Sequence, residues 1–323
     1  MPKTKTPQLP KLLKQKIYKT GQTRGADDDV IYQNRVLRNN TVLIPFKQWI
    51  NDVNLHKKKF ENGFIVLISP KEYFEFKNPS LELMNHNLEL SVNSLVFYET
   101  RFDWIQYPPL KGWKVANSRN NPLGGEYVAR VPSTTSSKDS KINSGYNTTP
   151  KGAGIRLYEY ADKKIIDDCK NQLEAVYWLC QDSVKSAIHF GMSCEDANTR
   201  KKYALSKATE SNLLDYDKLV EQRILNNNGV TICPFCLEKL SAFDFFNRVE
   251  QAEGREVPDL TITEINLFHI NELKYGEFNH KPYNLGWGHH HCNVVVKDSG
   301  IYETLDWIKK ILDRNKSEGY YIQ

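Results

Sequence analysis

The chain lacks three things that would place it in other classes. Six cysteines in 323 residues are too few for a disulfide scaffold. No apolar run reaches the roughly 18 residues that a membrane span needs. The N-terminal "MPKTKTPQLPKLLKQKIYKTGQTR" is basic but has neither the apolar stretch nor the small-residue cleavage site of a signal peptide. No Walker A pattern occurs, which excludes the usual ATP-driven translocating enzyme. The expectation is a cytoplasmic, intracellular protein with no membrane and no ATP among its partners. Its hydrophobic content (40%) and charged content (26%) are ordinary for a globular chain. Its length allows one large domain or two to three smaller ones.

Histidine is also scarce, and unevenly placed. Five of the eight histidines fall between positions 269 and 291. A packed core does not need this; imidazole is concentrated where a metal is held or a proton moves near neutral pH. Charge is uneven too. The net charge is +5, and residues 1–24 carry seven Lys/Arg and no acid. Such an arm either tracks a phosphate backbone by counterion release or is a solvated terminus.

Read along its length, the chain is expected to be α+β. Residues 1–131 form a mixed region, strand-rich and aromatic, with "GFIVLISP", "NSLVFYETRFDWIQYPP" and "GEYVARVP" punctuated by turns such as "NNPLGG". That text predicts an antiparallel sheet. Residues 132–154, "PSTTSSKDSKINSGYNTTPKGAG", read as a flexible loop or linker. Residues 155–229 read as helical: Ile165, Ile166, Cys169, Leu173, Val176, Tyr177, Cys180, Val184 and Ile188 recur at the spacing of one long buried helix. Residues 213–229 predict a second helix with an Asn/Gly stop. Over 230–323, a helix at 300–314 is expected to bury Ile301, Leu305, Ile308 and Leu312.

Cys233 and Cys236 lie in "TICPFCLEKL", a turn that points two thiolates at one ion. A redox pair is the other use of this spacing, but its thioredoxin-like context is missing. "GHHHCN" adds His289 and Cys292, completing a Cys₃His set suited to structural Zn²⁺; His290 or His291 could stand in for His289. A closed tetrahedron leaves no place for water, so catalysis must use other residues.

Those residues carry a resemblance. "HI" at 269–270, Gly276, "NL" at 284–285 and "HHHCN" at 289–293 occur in the order found in HNH, or ββα-metal, nucleases. The resemblance covers about 233–300. It implies a C-terminal zinc-stabilised ββα-metal core in which His269 is the general base, Asn284 orients the loop or the base, and Asn293 holds a catalytic divalent metal, Mg²⁺ with Mn²⁺ as substitute. The acidic residue that many members place before the base is Phe268 here. Either Asn293 holds the metal with mostly water, or a carboxylate such as Glu272 or Glu264 completes the site. Lys274, His280 and Lys281 are candidates to touch phosphate.

A nuclease core with a large region in front of it and no ATPase resembles a type II restriction endonuclease acting on double-stranded DNA. The region before the core is then expected to recognise DNA, with Arg35, Arg38 and Arg119 in segments dense in base-reading residue types. A homodimer would place one His269 on each strand. A homing or modification-dependent endonuclease, or an inactive zinc-stabilised DNA-binding protein, are the alternatives.

Overall fold

The computed structural model describes residues 6–18, 41–61, 63–116, 121–129, 155–157, 160–249, 263–271, 278–296 and 299–320. The linker read at 132–154 lies outside them. The described residues fall into two compact units, one built from 6–18 with 163–320 and the other from 41–162.

The chain begins with α1 (Lys11–Tyr18). The 41–162 unit follows as β1 (Val42–Pro45), α2 (Phe46–Asn51), α3 (Val53–Lys57), β2 (Phe64–Ile68), α4 (Pro70–Glu75), α5 (Pro79–Asn85), β3 (Ser94–Tyr98), α6 (Arg101–Gln106), β4 (Tyr127–Ala129) and β5 (Ile155–Arg156). Its sheet has the order β4-β3-β2-β1-β5, and every neighbouring pair is parallel. The antiparallel sheet expected from the sequence is therefore corrected. Residues 46–63, 69–93 and 99–126 each carry the chain back across the sheet through helices rather than a hairpin turn. FIVLI and SLVFY are near-continuous apolar runs, the pattern of strands with both faces covered. Short caps start the crossover helices. Ser69 and Glu72 form a reciprocal capping box on α4, and Thr100 accepts from the Asp103 N–H on α6.

The other unit contains α7 (Lys163–Trp178), α8 (Ser183–His189), α9 (Cys194–Glu210), α10 (Tyr216–Glu221), a single 3₁₀ turn at Phe243–Phe245, β6 (Ile265–His269), β7 (Leu285–His289), α11 (His290–Val296) and α12 (Ile301–Ser317). The long helix expected over 165–188 is two helices. The break has a local cause: Ser183 Oγ donates to the Trp178 carbonyl, and the Asp182 carboxylate accepts from Ser241 Oγ and the Ala242 N–H. The expected 213–229 helix is only α10, ended where Arg223 takes a left-handed φ of 59°. No apolar stripe announced α9, because its buried face is made of Ala197, Ala204 and Ala208.

One core joins these elements. Leu13 and Ile17 of α1, Leu173, Val176 and Tyr177 of α7, Phe268 of β6 and Trp287 of β7 belong to the same buried cluster. Trp287 Nε1 also donates to the Leu173 carbonyl at 2.9 Å, seating β7 on α7. The helical and C-terminal regions, distinct in the sequence reading, thus share one interior. Part of the basic arm is structural as well. Lys16 is buried on α1, and its Nζ donates to Thr263 Oγ1 and the Ile265 carbonyl at the start of β6. Helix α12 departs from expectation in the opposite sense. Ile301 and Thr304 are buried, but Leu305 is 37% and Leu312 44% exposed, because the stripe runs on past the core that its first turn meets.

Candidate active site and metal centre

Strands β6 and β7 pair antiparallel, with His269 opposite Leu285 at one end and Ile265 opposite His289 at the other. Helix α11 starts at the next residue after β7. Strand alternation sends neighbouring side chains to opposite faces, which separates Phe268 from His269. The Phe268 ring is fully buried and lies over Gly288, where an added Cβ would come within 2.6 Å of its Cδ2. Position 268 therefore faces the core, and His269, partly exposed, faces the other way.

At the His289 end, one ligand atom from each of Cys233, Cys236, His289 and Cys292 lies within 4.8 Å of all the others. Cys236 Sγ and His289 Nδ1 are 3.3 Å apart. A tetrahedral Zn²⁺ with metal–sulfur bonds near 2.3 Å separates its ligands by roughly 3.3–3.8 Å, so the donor set fits that ion. Burial, and then the neighbouring Cys233 and Cys236, push the Cys292 thiol well above the ordinary range. Three sulfurs this close resist ionisation unless a cation lies among them. The knuckle is held from outside by Arg223, whose Nε donates to the Pro234 carbonyl at 2.7 Å and whose guanidinium also reaches Phe235. The histidine triplet divides clearly: His289 joins the sulfurs, His290 Nδ1 is 3.1 Å from Asn266 Nδ2, and His291 is exposed.

At the opposite end, about 13 Å along the strand by the usual rise per residue, lie His269 and its surroundings. Asn284 is buried just before β7. Its Oδ1 accepts from the Asn271 N–H at 2.7 Å, and its Nδ2 donates to the carbonyls of Asn271 (3.1 Å) and Asn279 (2.7 Å). One side chain thus ties together the residues on either side of 272–277. Asn284 is itself placed by Tyr283, which takes a left-handed φ of 66° and donates its N–H to the buried Gln172 Oε1 of α7 at 2.7 Å. On α11, Asn293 Nδ2 donates to the Leu267 carbonyl of β6 at 3.3 Å, which leaves its Oδ1 as a donor atom for a cation.

Of the other candidates, Lys281 is exposed. His280 is not an exposed loop residue able to touch phosphate. It is 1% exposed, and burial followed by proximity to His269 lowers its pKa to about 3, so it carries no charge to offer. Its Nδ1 lies 3.5 Å from His269 Nε2. Glu264 sits at the far end of β6 from His269, roughly 16 Å away by strand rise, and cannot share an ion with that side chain. Glu272, Lys274, Arg35, Arg38 and Arg119 lie outside the described residues. Sequence reasoning missed Arg223, Gln172, Tyr283 and the Asn271/Asn279 pair. None has a spacing signal, since each acts through backbone groups distant in sequence.

A family model described as BstXI restriction endonuclease matches residues 15–290, more than four fifths of the chain. The chain belongs to the BstXI restriction endonuclease family. No curated protein and no solved structure matches it. Membership makes the chain a nuclease that acts on DNA, as a site-specific endonuclease of the restriction type. The match spans both units of this restriction endonuclease and takes in Cys233, Cys236, His269, His280, Asn284 and His289, ending before Cys292 and Asn293. Among the described residues, no helix is long and apolar enough to cross a membrane.

Proposed function

We propose that the chain is a type II restriction endonuclease that hydrolyses both strands of DNA by HNH, or ββα-metal, chemistry. The observation that carries this reading is the strand–strand–helix unit with His269, Asn284 and Asn293 grouped away from a Cys₃His cluster at the other end of the hairpin. His269 takes a proton from the attacking water near neutral pH. Asn284 holds the ends of the loop beside it, and Asn293 presents Oδ1 from α11. A divalent ion bound there, Mg²⁺ as restriction endonucleases typically use, supplies positive charge for the departing 3′ oxygen; Glu272 remains the proposed carboxylate beside it. Cys233, Cys236, His289 and Cys292 hold Zn²⁺, which keeps the knuckle, β7 and α11 in register. The 41–162 unit reads the site.

The homodimer belongs to the same reading, and α12 supplies its surface. Leu305, Ile308 and Leu312 extend one apolar stripe into solvent. Glu303 and Asp306 lie towards the start of the helix, and Lys309, Lys310, Arg314 and Lys316 towards its end. An antiparallel partner helix from a second copy meets both the stripe and the opposite charge. A Leu305→Lys, Leu312→Lys chain should elute at half the mass of its parent; an unchanged mass removes α12 from the interface.

The test of the chemistry is purified protein on phage DNA with Mg²⁺ beside a His269→Ala variant. Discrete fragments from the parent and none from the variant are expected. Equal cleavage by both excludes His269 as the base. Methylated and unmethylated substrates in parallel distinguish a modification-dependent enzyme.

A further inference from the structure

Of the eight histidines, His280 is the most deeply buried. Its Nε2 is enclosed and has no hydrogen-bond partner among the described residues, an arrangement that a core residue chosen for packing alone would avoid. Its other nitrogen, Nδ1, faces Nε2 of His269 at 3.5 Å, with ring centroids 5.7 Å apart. The ring is held there by a closed turn. Asn284 Nδ2 grips the Asn279 carbonyl, the Lys281 N–H returns to that same carbonyl at 3.0 Å, and the Asn284 N–H donates to the Lys281 carbonyl at 3.2 Å.

We propose that His280 is a positioning residue for His269: its Nδ1 accepts a hydrogen bond from the His269 Nε2–H, fixing the tautomer in which His269 Nδ1 is free to take a proton. The catalytic meaning rests on the endonuclease reading; the hydrogen bond itself does not. The direction follows by elimination. If His280 donated instead, His269 would spend its Nε2 lone pair on that bond and carry its proton on Nδ1, leaving no nitrogen to act as a base. The unpartnered His280 Nε2 then bears the hydrogen.

Burial suits this task. With its pKa lowered to about 3, first by desolvation and then by His269, His280 stays neutral and remains an acceptor throughout the working range. When His269 gains the water's proton, a neutral hydrogen bond becomes a charge-assisted one, roughly twice as strong. The contact is thus stronger in the transition state than in the ground state, which is the condition for it to speed the reaction.

The experiment uses the full chain labelled with ¹⁵N-histidine, with the His269 signals assigned by their loss in His269→Ala. The unaltered chain at neutral pH should show His269 protonated on Nε2. In His280→Phe the two His269 tautomers should mix and kcat should fall about 10- to 100-fold at nearly constant KM. His280→Asn, whose side-chain carbonyl can accept the same bond, should recover part of both. Protonation of His269 on Nδ1 in the unaltered chain overturns the proposal, and that spectrum needs no variant to fold. A His280→Phe chain with an unchanged His269 tautomer and unchanged kcat overturns it equally. If the unaltered chain shows the expected tautomer yet cleaves no DNA with any divalent ion, the hydrogen bond stands and the endonuclease reading falls.

Discussion

Asn284 offers the sharpest separation between the architecture of the site and its chemistry. In Asn284→Ala three hydrogen bonds disappear, one from the Asn271 N–H and two to the carbonyls of Asn271 and Asn279. Each is worth about 1 kcal/mol net, so the substitution should cost about 3 kcal/mol. For a unit of this size that lowers Tm by about 6–12 °C. Asn284→Asp refines the argument. It has the same shape and can still accept from Asn271, but it sets carboxylate oxygens against two carbonyl oxygens. Burial and those dipoles raise the folded-state pKa of such a carboxyl above its unfolded value near about 3.9. The folded state then holds more protons than the unfolded state between the two values, so stability must fall as pH rises through that window. The assay is calorimetry of parent, Ala and Asp chains from acid to neutral pH, with cleavage rates at saturating DNA. The Asp chain should approach its parent in acid and melt at or below the Ala chain at neutral pH. An Ala chain that melts within about 2 °C of its parent, or an Asp chain indifferent to pH, refutes the clamp.

Three further expectations rest on separate observations. Gly288→Ala drives a Cβ into the Phe268 ring and should destabilise by about 1–3 kcal/mol, with Phe268→Leu in the same chain restoring part of the loss; additive melting shifts in the double variant speak against direct contact. Metal analysis of the purified chain should find about one zinc per chain, and Cys292→Ala should lose the ion and lower Tm; a metal-free parent that melts cooperatively and resists chelators excludes structural zinc. Lys281→Ala should weaken DNA binding by a similar factor for cognate and unrelated sequences and reduce the salt-dependence slope by about 0.9; an unchanged slope removes Lys281 from the phosphate contacts.

What the sequence determined by itself was the local chemistry. Cys233 and Cys236 are two residues of one turn, and His289 and Cys292 are one helical turn apart, so their spacing already aims two pairs of donors. The order of His269, Asn284 and Asn293 likewise lies within one short supersecondary unit, where few arrangements of the chain are open. The tertiary structure decided everything that depends on distant partners. An apolar run such as FIVLI is compatible with either strand direction, and only the helices returning across the sheet make it parallel. The polar character of His280 and Lys16 predicts exposure, yet both are buried, because neighbours from other segments, His269 in one case and Thr263 in the other, take up their polar atoms. Leu305 and Leu312 have the periodicity of core residues, but periodicity marks an apolar face without stating whether the chain's own interior reaches it. Burial is a property of what packs against a side chain, and no residue encodes that alone.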